Sequence, residues 1–121
     1  MPARAIVANE LARFLSAISH PHRVQIIELL RDDEKDVNTL EEELQISHSS
    51  VSQHLSKLRA YRLVKMHREG RHVFYSLANP DLALWLLEGL KFTGLELERS
   101  QELHSALEDL QQILKERKNS T

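Results

Sequence analysis

The sequence predicts a mainly α-helical domain that carries one β-hairpin. Apolar residues recur at the three- and four-residue spacing of amphipathic helices along most of the chain. One segment, residues 63–77, instead reads as two short strands around a glycine-containing turn. The chain has only three Gly and three Pro in 121 residues, which favours dense secondary structure over long linkers. We therefore expect a single domain over residues 1–121, with the order α-α-α-α-β-β-α-α and a tail, 115–121, that frays.

The first two predicted helices are separated by a break before Pro21. The first covers residues 6–18, where apolar side chains recur at helical spacing. Pro21 suits the first turn of the second helix, because its missing N–H would be unpaired there in any case. The second helix continues to about Leu30, and the acidic stretch 32–36 is predicted as a charged loop.

The third and fourth helices follow each other closely. Residues 37–44 carry apolar side chains at helical spacing, and Gln45 begins a tight connection to Ser47, a good N-cap for the fourth helix. The fourth helix ends near residues 60–62, and its predicted buried stripe consists of Val51, Leu55 and Leu58.

The hairpin is followed by two more predicted helices. Asn79 and Pro80 end the second strand and begin a helix that is apolar nearly all round. A last helix covers about residues 96–118, with a coiled-coil-like seam of Leu103, Leu107, Leu110 and Leu114. Two short helices with a tight connection, followed by a basic hairpin, predict a helix-turn-helix with a wing.

The charge is distributed unevenly along the chain. Residues 47–77 hold six Lys or Arg and one acid, a balance of 6 − 1 = +5, whereas the whole chain has a net charge of −2. The rest of the chain therefore has a balance of −2 − 5 = −7. A basic segment in an acidic protein indicates a surface that binds a polyanion, although chance clustering on a solvated face gives the same pattern.

The fourth helix has a polar face opposite its buried stripe. On a helical wheel, Ser49 and Gln53 lie opposite Val51, and three further polar residues flank them: Ser52, Ser56 and Lys57. Gln can pair with adenine through two hydrogen bonds and Ser can bond several bases, so this face could enter a major groove. The alternative is an ordinary solvated helix face.

Enzymatic and metal-binding roles receive less support. Ser50 and His54 are spaced to hydrogen-bond, but the stretch has no carboxylate to orient the imidazole and no glycine-rich turn for an oxyanion. The chain has no Cys, and no two of its seven His are four residues apart. His48 and His54 lie about 120° apart on a helix and do not converge. We expect no enzyme, no cofactor and no metal site, with a site assembled across elements or subunits left open.

The sequence resembles the ArsR (arsenical-repressor-like) family of winged-helix transcriptional regulators. Three segments carry the resemblance and together cover about half of the chain: AISHPHRVQIIELL (17–30), LEEELQISHSSVSQHLSKLRAYRLV (40–64) and REGRHVFYSL (68–77). The resemblance implies a repressor, released by an unidentified signal, that binds a palindromic operator as a homodimer paired through its first and last helices. The polar face of the fourth helix and the resemblance together predict the residues that face DNA. These are Ser47, His48, Ser49, Ser52, Gln53, Ser56, Lys57, Arg59, Arg68, Arg71 and His72.

The sequence departs from the family at its metal-sensing positions. Asp36 and Asn38 stand where the family's thiolate site has cysteines. The family's second site, on the C-terminal helix, aligns with Asn79, Asp81, Phe92 and Leu95, a set that does not match its ligands. The resemblance therefore implies gene regulation without either familiar sensing site.

Two other functions remain open: a winged-helix module that binds protein, and a histidine-based metal-responsive regulator. The C-terminal helices are rich in leucine, which dimerisation would explain. A hydrophobic effector pocket near Trp85 is the alternative explanation.

The most apolar run, residues 82–92, is shorter than the roughly 20 residues of a membrane span and contains Glu88 and Lys91. We therefore expect a cytoplasmic protein with no membrane partner.

Overall fold

The computed structural model describes the backbone of residues 2–93 and 101–119, and the side chains of 2–93 and 102–116. A short 3₁₀ turn, Gly89–Phe92, follows the fifth helix. In chain order, the helices and strands are α1 (Pro2–Ile18), α2 (Pro21–Leu29), β1 (Lys35–Asp36), α3 (Val37–Leu44), α4 (His48–Ala60), β2 (Val64–Glu69), β3 (His72–Leu77), α5 (Leu82–Glu88) and α6 (Gln101–Asn119).

The segment 32–36 is not wholly a loop, so this part of the prediction is wrong. Lys35 and Asp36 form β1, which pairs antiparallel with β3 through the partners Lys35↔Tyr75 and Asp36↔Phe74. The wing is therefore a three-stranded sheet in the order β1-β3-β2. A two-residue strand is too short to show an alternating pattern, and Lys and Asp disfavour strands, so only pairing with the distant β3 reveals it.

The first and last helices differ from prediction in their bounds. Helix α1 begins at Pro2 instead of residue 6, because Pro is favoured at the first helical position and the next three residues are good helix formers. Helix α6 runs from Gln101 to Asn119, while residues 96–100 of the predicted helix lie outside the described residues. The fraying of the tail stays a prediction.

The core lies between α2, α3, α4 and the base of the wing. The largest fully buried side chains are Ile26, Ile27, Leu40, Val51, Leu55 and Leu58. Val64 and Leu77, which face each other across β2 and β3, are also buried and attach the hairpin to this core. The predicted buried stripe of α4 is thus confirmed, and it fixes which side of α4 faces outward.

Two turns orient α4 and the wing. Gln45, with φ 56°, ends α3 in the left-handed conformation, and its N–H bonds the carbonyl of Glu41 at 2.8 Å. Gly70, with φ 61°, supplies the left-handed residue that the tight turn between β2 and β3 requires.

Over the described part of the chain, no helix is both long enough and apolar enough to cross a membrane.

Candidate nucleic-acid interface

The outward face of α4 is polar and accessible. Ser49, Gln53, Ser56 and Lys57 are exposed, while Ser52 is half-buried. The first turn of the helix contains no acidic residue. The helix therefore presents hydrogen-bonding side chains, and its first turn has no acid of its own to repel an approaching phosphate.

The N-terminus of α4 is held by its serines. The Ser47 hydroxyl accepts a hydrogen bond from the Ser50 N–H at 3.1 Å and donates one to the Ser50 hydroxyl at 3.0 Å. Its oxygen also lies 3.3 Å from the Ser49 hydroxyl. Ser47 is thus confirmed as the N-cap. The same bonds occupy its hydroxyl, so its first role is to start the helix.

His48 connects the two helices of the helix-turn-helix. Its Nδ1 lies 3.2 Å from a carboxylate oxygen of Glu41 on α3, while most of its side chain remains exposed. The ring is therefore positioned at the start of α4, beside the residues predicted to face bases.

The wing lies across a cleft from α4. This cleft, of about 420 Å³, brings residues of the two elements together, and those predicted to face DNA are His48, Ser52, Arg68, Arg71 and His72. The two arginines and His72 are exposed. Five of the predicted DNA-facing residues therefore line one concave surface, although only two of them belong to the helix.

The remaining predicted residues are more dispersed. Ser49, Gln53, Ser56 and Lys57 are on the exposed side of α4 and do not line the cleft. Arg59 is exposed near the end of α4, where its Nη1 lies 3.5 Å from the sulfur of Met66 on β2. That contact places Arg59 between the helix and the base of the wing.

An acidic residue also lines the cleft, at one of the positions where the family's thiolate site has cysteine. Asp36 caps α3, and its carboxylate accepts a hydrogen bond from the Thr39 N–H at 2.8 Å. Hydrogen bonds from the Thr39 side chain and backbone lower the pKa of Asp36 below its ordinary value, and nearby His72 acts in the same direction. Asp36 therefore remains ionised and has a structural role in starting α3.

His67 lies on the wing, on β2, but does not line the cleft. Its Nδ1 is 2.9 Å from a carboxylate oxygen of Glu34 and its Nε2 is 3.4 Å from one of Glu69. The ring also stacks on Phe74, with centroids 5.5 Å apart. These contacts connect the segment before β1 to the hairpin.

A second histidine group lies on the other side of α4, and the sequence alone did not locate it. His54 approaches the start of α2, where its ring centroid is 4.4 Å from that of His20 and 5.7 Å from that of His22. Arg23 Nη1 donates a hydrogen bond to His54 Nδ1 at 3.2 Å, so this ring faces α2. His20 caps α2, because its Nδ1 accepts a hydrogen bond from the His22 N–H at 3.0 Å.

The environment of His54 opposes its protonation. Partial burial lowers the pKa of His54, and the charges of His20, Arg23, His22 and Lys57 lower it further. The ring is therefore mainly neutral at neutral pH. Because its Nδ1 accepts from Arg23, the neutral ring carries its proton on Nε2.

An apolar cavity lies near Trp85, where the sequence suggests an effector pocket. It has a volume of about 370 Å³, and its apolar lining includes Phe14, Leu63, Leu82 and Trp85. Phe14 and Trp85 approach within 5.8 Å between ring centroids. The cavity lies between α1 and α5 of one chain, and an effector role for it stays a prediction.

Comparisons with known proteins agree with this architecture. The family described as "Bacterial regulatory protein, arsR family" matches residues 20–66. The nodulation protein NolR of Rhizobium meliloti is 40% identical over 83 residues, which are 69% of this chain and 67% of that protein.

A second relative is the transcriptional repressor SmtB homolog of Synechocystis, which is 42% identical over 72 residues. The matched segment is 60% of this chain and 54% of that relative, so it spans about half of the relative's length. The solved structure of NolR from Sinorhizobium fredii aligns with a TM-score of 0.68 and 36% identity, over 75% of this chain and 90% of that one. The predicted winged-helix fold is thus confirmed, and the chain belongs to the arsR family of bacterial regulatory proteins.

Proposed function

We propose that this protein is a transcriptional repressor that binds a palindromic operator as a homodimer and is released by a signal. Its family makes it a DNA-binding transcriptional regulator and not an enzyme. Beyond this, we propose that the protein represses transcription, that its operator is palindromic, that it binds as a dimer and that it is cytoplasmic. The observation that carries the proposal is the cleft in which His48 and Ser52 of α4 meet Arg68 and Arg71 of the wing, beside the exposed polar face of the helix.

The two parts of this surface would have different tasks. The outward residues Ser49, Ser52 and Gln53 are short or flexible hydrogen-bonding groups, suited to base edges in the major groove. Arg68 and Arg71 project from the exposed wing and suit phosphates or the minor groove. Base contacts would then supply sequence preference, and the wing would supply affinity that falls as salt rises.

Exposed apolar side chains support a homodimer. Ile6, Val7, Leu11 and Leu15 on α1 are each more than half exposed in one chain, and Leu103 on α6 is nearly so. A surface of this kind on a terminal helix is typical of an interface. A two-fold dimer would place two copies of α4 in successive major grooves, about 34 Å apart.

The dimer can be tested by substitution on α1. We expect Leu11→Glu to convert the dimer into a monomer in sedimentation velocity, because a charge would be buried in the interface. Arg13→Glu is the matched control, since Arg13 lies on another side of the same helix and is exposed. A wild-type chain that sediments as a monomer at micromolar concentration would contradict the dimer.

The function itself is tested by selecting bound fragments from genomic DNA and then titrating salt. We expect enrichment of a palindromic sequence, with log K falling linearly in log salt by about 0.9 for each phosphate contact. The rival is a winged-helix module that binds protein. The absence of salt-sensitive binding to any fragment would favour that rival and reject the proposal.

A further inference from the structure

Three imidazoles from two helices converge behind the outward face of α4. His20 and His22, at the start of α2, and His54, on α4, each offer one nitrogen, and these nitrogens all lie within 4.8 Å of one another. All three side chains are half-buried, so the rings are held in place while solvent still reaches them. We refer to these three residues as the histidine cluster.

The spacing of the cluster suits a small divalent cation. Zn²⁺ binds His nitrogen at about 2.0–2.1 Å in tetrahedral geometry, which places ligand nitrogens about 3.4 Å apart. The rings therefore need to move together by only about an ångström. Imidazole is a preferred ligand of Zn²⁺, Cu²⁺ and Ni²⁺, whereas Mg²⁺ and Ca²⁺ prefer oxygen.

We propose that the histidine cluster binds one first-row divalent cation, best matched by Zn²⁺, through three imidazole nitrogens and one water. The ligand set is independent of the family's thiolate and C-terminal sites, at which this chain lacks matching ligands. Metal binding by the cluster does not depend on DNA binding, whereas its effect on operator affinity rests on the proposed function.

Coordination would break two hydrogen bonds. His20 Nδ1 accepts from the His22 N–H, and His54 Nδ1 accepts from Arg23 Nη1. A neutral imidazole has one nitrogen with a free lone pair and one that carries a proton. If the cation takes Nδ1, the lone pair is used. If it takes Nε2, the proton moves to Nδ1, which then faces another donor. Both bonds are lost in either case.

The loss of these bonds connects the cluster to α4. The first bond caps α2, and the second joins α2 to α4, the helix proposed to read bases. Bound cation would therefore change how α4 is held against α2. We expect the cation to lower operator affinity, because the arrangement of α4 that suits the groove would lose a contact that fixes it.

Arg23 opposes cation binding in the arrangement that the structure shows. It is only 8% exposed, and its Nε is buried without a hydrogen-bond partner. Its guanidinium would repel a cation held by His54, so it must move away when the cation binds. Arg23→Met, which keeps the stem and removes the charge, is therefore expected to bind the cation more tightly than the wild type.

The test uses tag-free full-length protein with Co²⁺ as a spectroscopic probe and Zn²⁺ in calorimetry. We expect one cation per chain, with the visible absorption of tetrahedral Co²⁺. His22→Ala removes a ligand and keeps both the His20 nitrogen and the Arg23 bond, and it should weaken binding at least tenfold. His104→Ala, at an exposed position on α6, is the matched control and should bind as the wild type does.

A second control separates the cluster from another group of possible ligands. Glu34, before β1, and His67 and Glu69, on β2, also lie within reach of a common ion, but all three are exposed. If His67→Ala abolishes the Co²⁺ spectrum while His22→Ala leaves it intact, the proposal is overturned. The absence of a tetrahedral Co²⁺ spectrum in the wild type, or weaker binding by Arg23→Met in a folded protein, would also overturn it.

The effect on DNA is measured separately, as operator affinity with and without stoichiometric Zn²⁺. We expect at least a tenfold loss in the wild type and none in His22→Ala. If Zn²⁺ binds but affinity is unchanged, the connection to α4 is rejected. If the protein without metal binds no operator, the proposed function fails, and the Co²⁺ spectrum alone then decides whether the cluster is a metal site.

Discussion

The two polar sides of α4 differ in what their side chains contact. On the outward side, Ser49, Gln53 and Lys57 are exposed to solvent. On the side that faces α2, His54 is half-buried and accepts a hydrogen bond from Arg23. Its ring centroid lies 4.4 Å from that of His20. One helix therefore carries one polar surface that is solvated and another that is bonded within the protein.

This difference determines how each side can respond to a ligand. The solvated side chains can exchange water for base edges with little rearrangement of the protein. The bonded side can accept a ligand only if hydrogen bonds to α2 break, so binding there changes the structure. The first arrangement suits recognition of a fixed target, and the second suits a switch.

The largest expected effect concerns the third side of α4, which is buried. Leu55→Ala should lower the free energy of unfolding by about 2–5 kcal/mol, because it removes packed methyl groups and leaves a cavity. Ser56→Ala, at the next position and exposed, should change it by less than about 0.5 kcal/mol. Chemical denaturation measures both. Equal losses for the two variants would contradict the assigned faces of the helix.

Gln53→Ala tests the outward side. It should weaken binding to the selected operator by about 1–3 kcal/mol and relax preference at one base pair, with thermal stability unchanged. Gln112→Ala, at an exposed position on α6, is the matched control and should bind DNA normally. Equal weakening on all sequences would show that Gln53 does not read a base.

Ser47 caps α4 and is also predicted to face DNA, and two substitutions separate these roles. Ser47→Ala should lower stability by about 0.5–2 kcal/mol because it removes the N-cap of α4. Ser47→Asp keeps a capping oxygen, so stability should be retained while operator affinity falls through repulsion of phosphate. If Ser47→Asp binds the operator as tightly as the wild type, Ser47 does not lie near the DNA backbone.

Arg71→Ala should have a smaller and less specific effect. Operator binding should weaken on every sequence, and the slope of log K against log salt should flatten by about one unit, because one phosphate contact is lost. Lys115→Ala, at an exposed position on α6, should leave the slope unchanged. An unchanged slope for Arg71→Ala would reject the contact between the wing and phosphate.

The outward face of α4 could be predicted because all of its residues belong to one helix. The helical period alone places Ser49 and Gln53 opposite Val51, and their exposure agrees. The buried stripe and the hairpin follow from similarly local patterns. The N-caps at His20 and Ser47 were also predictable, since capping involves residues only two or three positions apart.

Contacts between distant segments could not be predicted in the same way. His54 and Arg23 are 31 residues apart, and no local period relates them. The pairing of Lys35 with Tyr75, which creates β1, is similarly long-range. The histidine cluster therefore emerges only from the packing of α2 against α4, although the sequence left open a site assembled across elements.

The most direct test of the central claim is an NMR titration of the protein with its selected operator, following the backbone amides. If the outward face and the wing bind DNA, the largest shift changes will lie at residues such as Ser49, Gln53 and Arg71. Changes at His20 and His22 will be smaller, since these residues lie behind α4. Largest changes on α5 or α6, with α4 and the wing unaffected, would contradict the proposed interface.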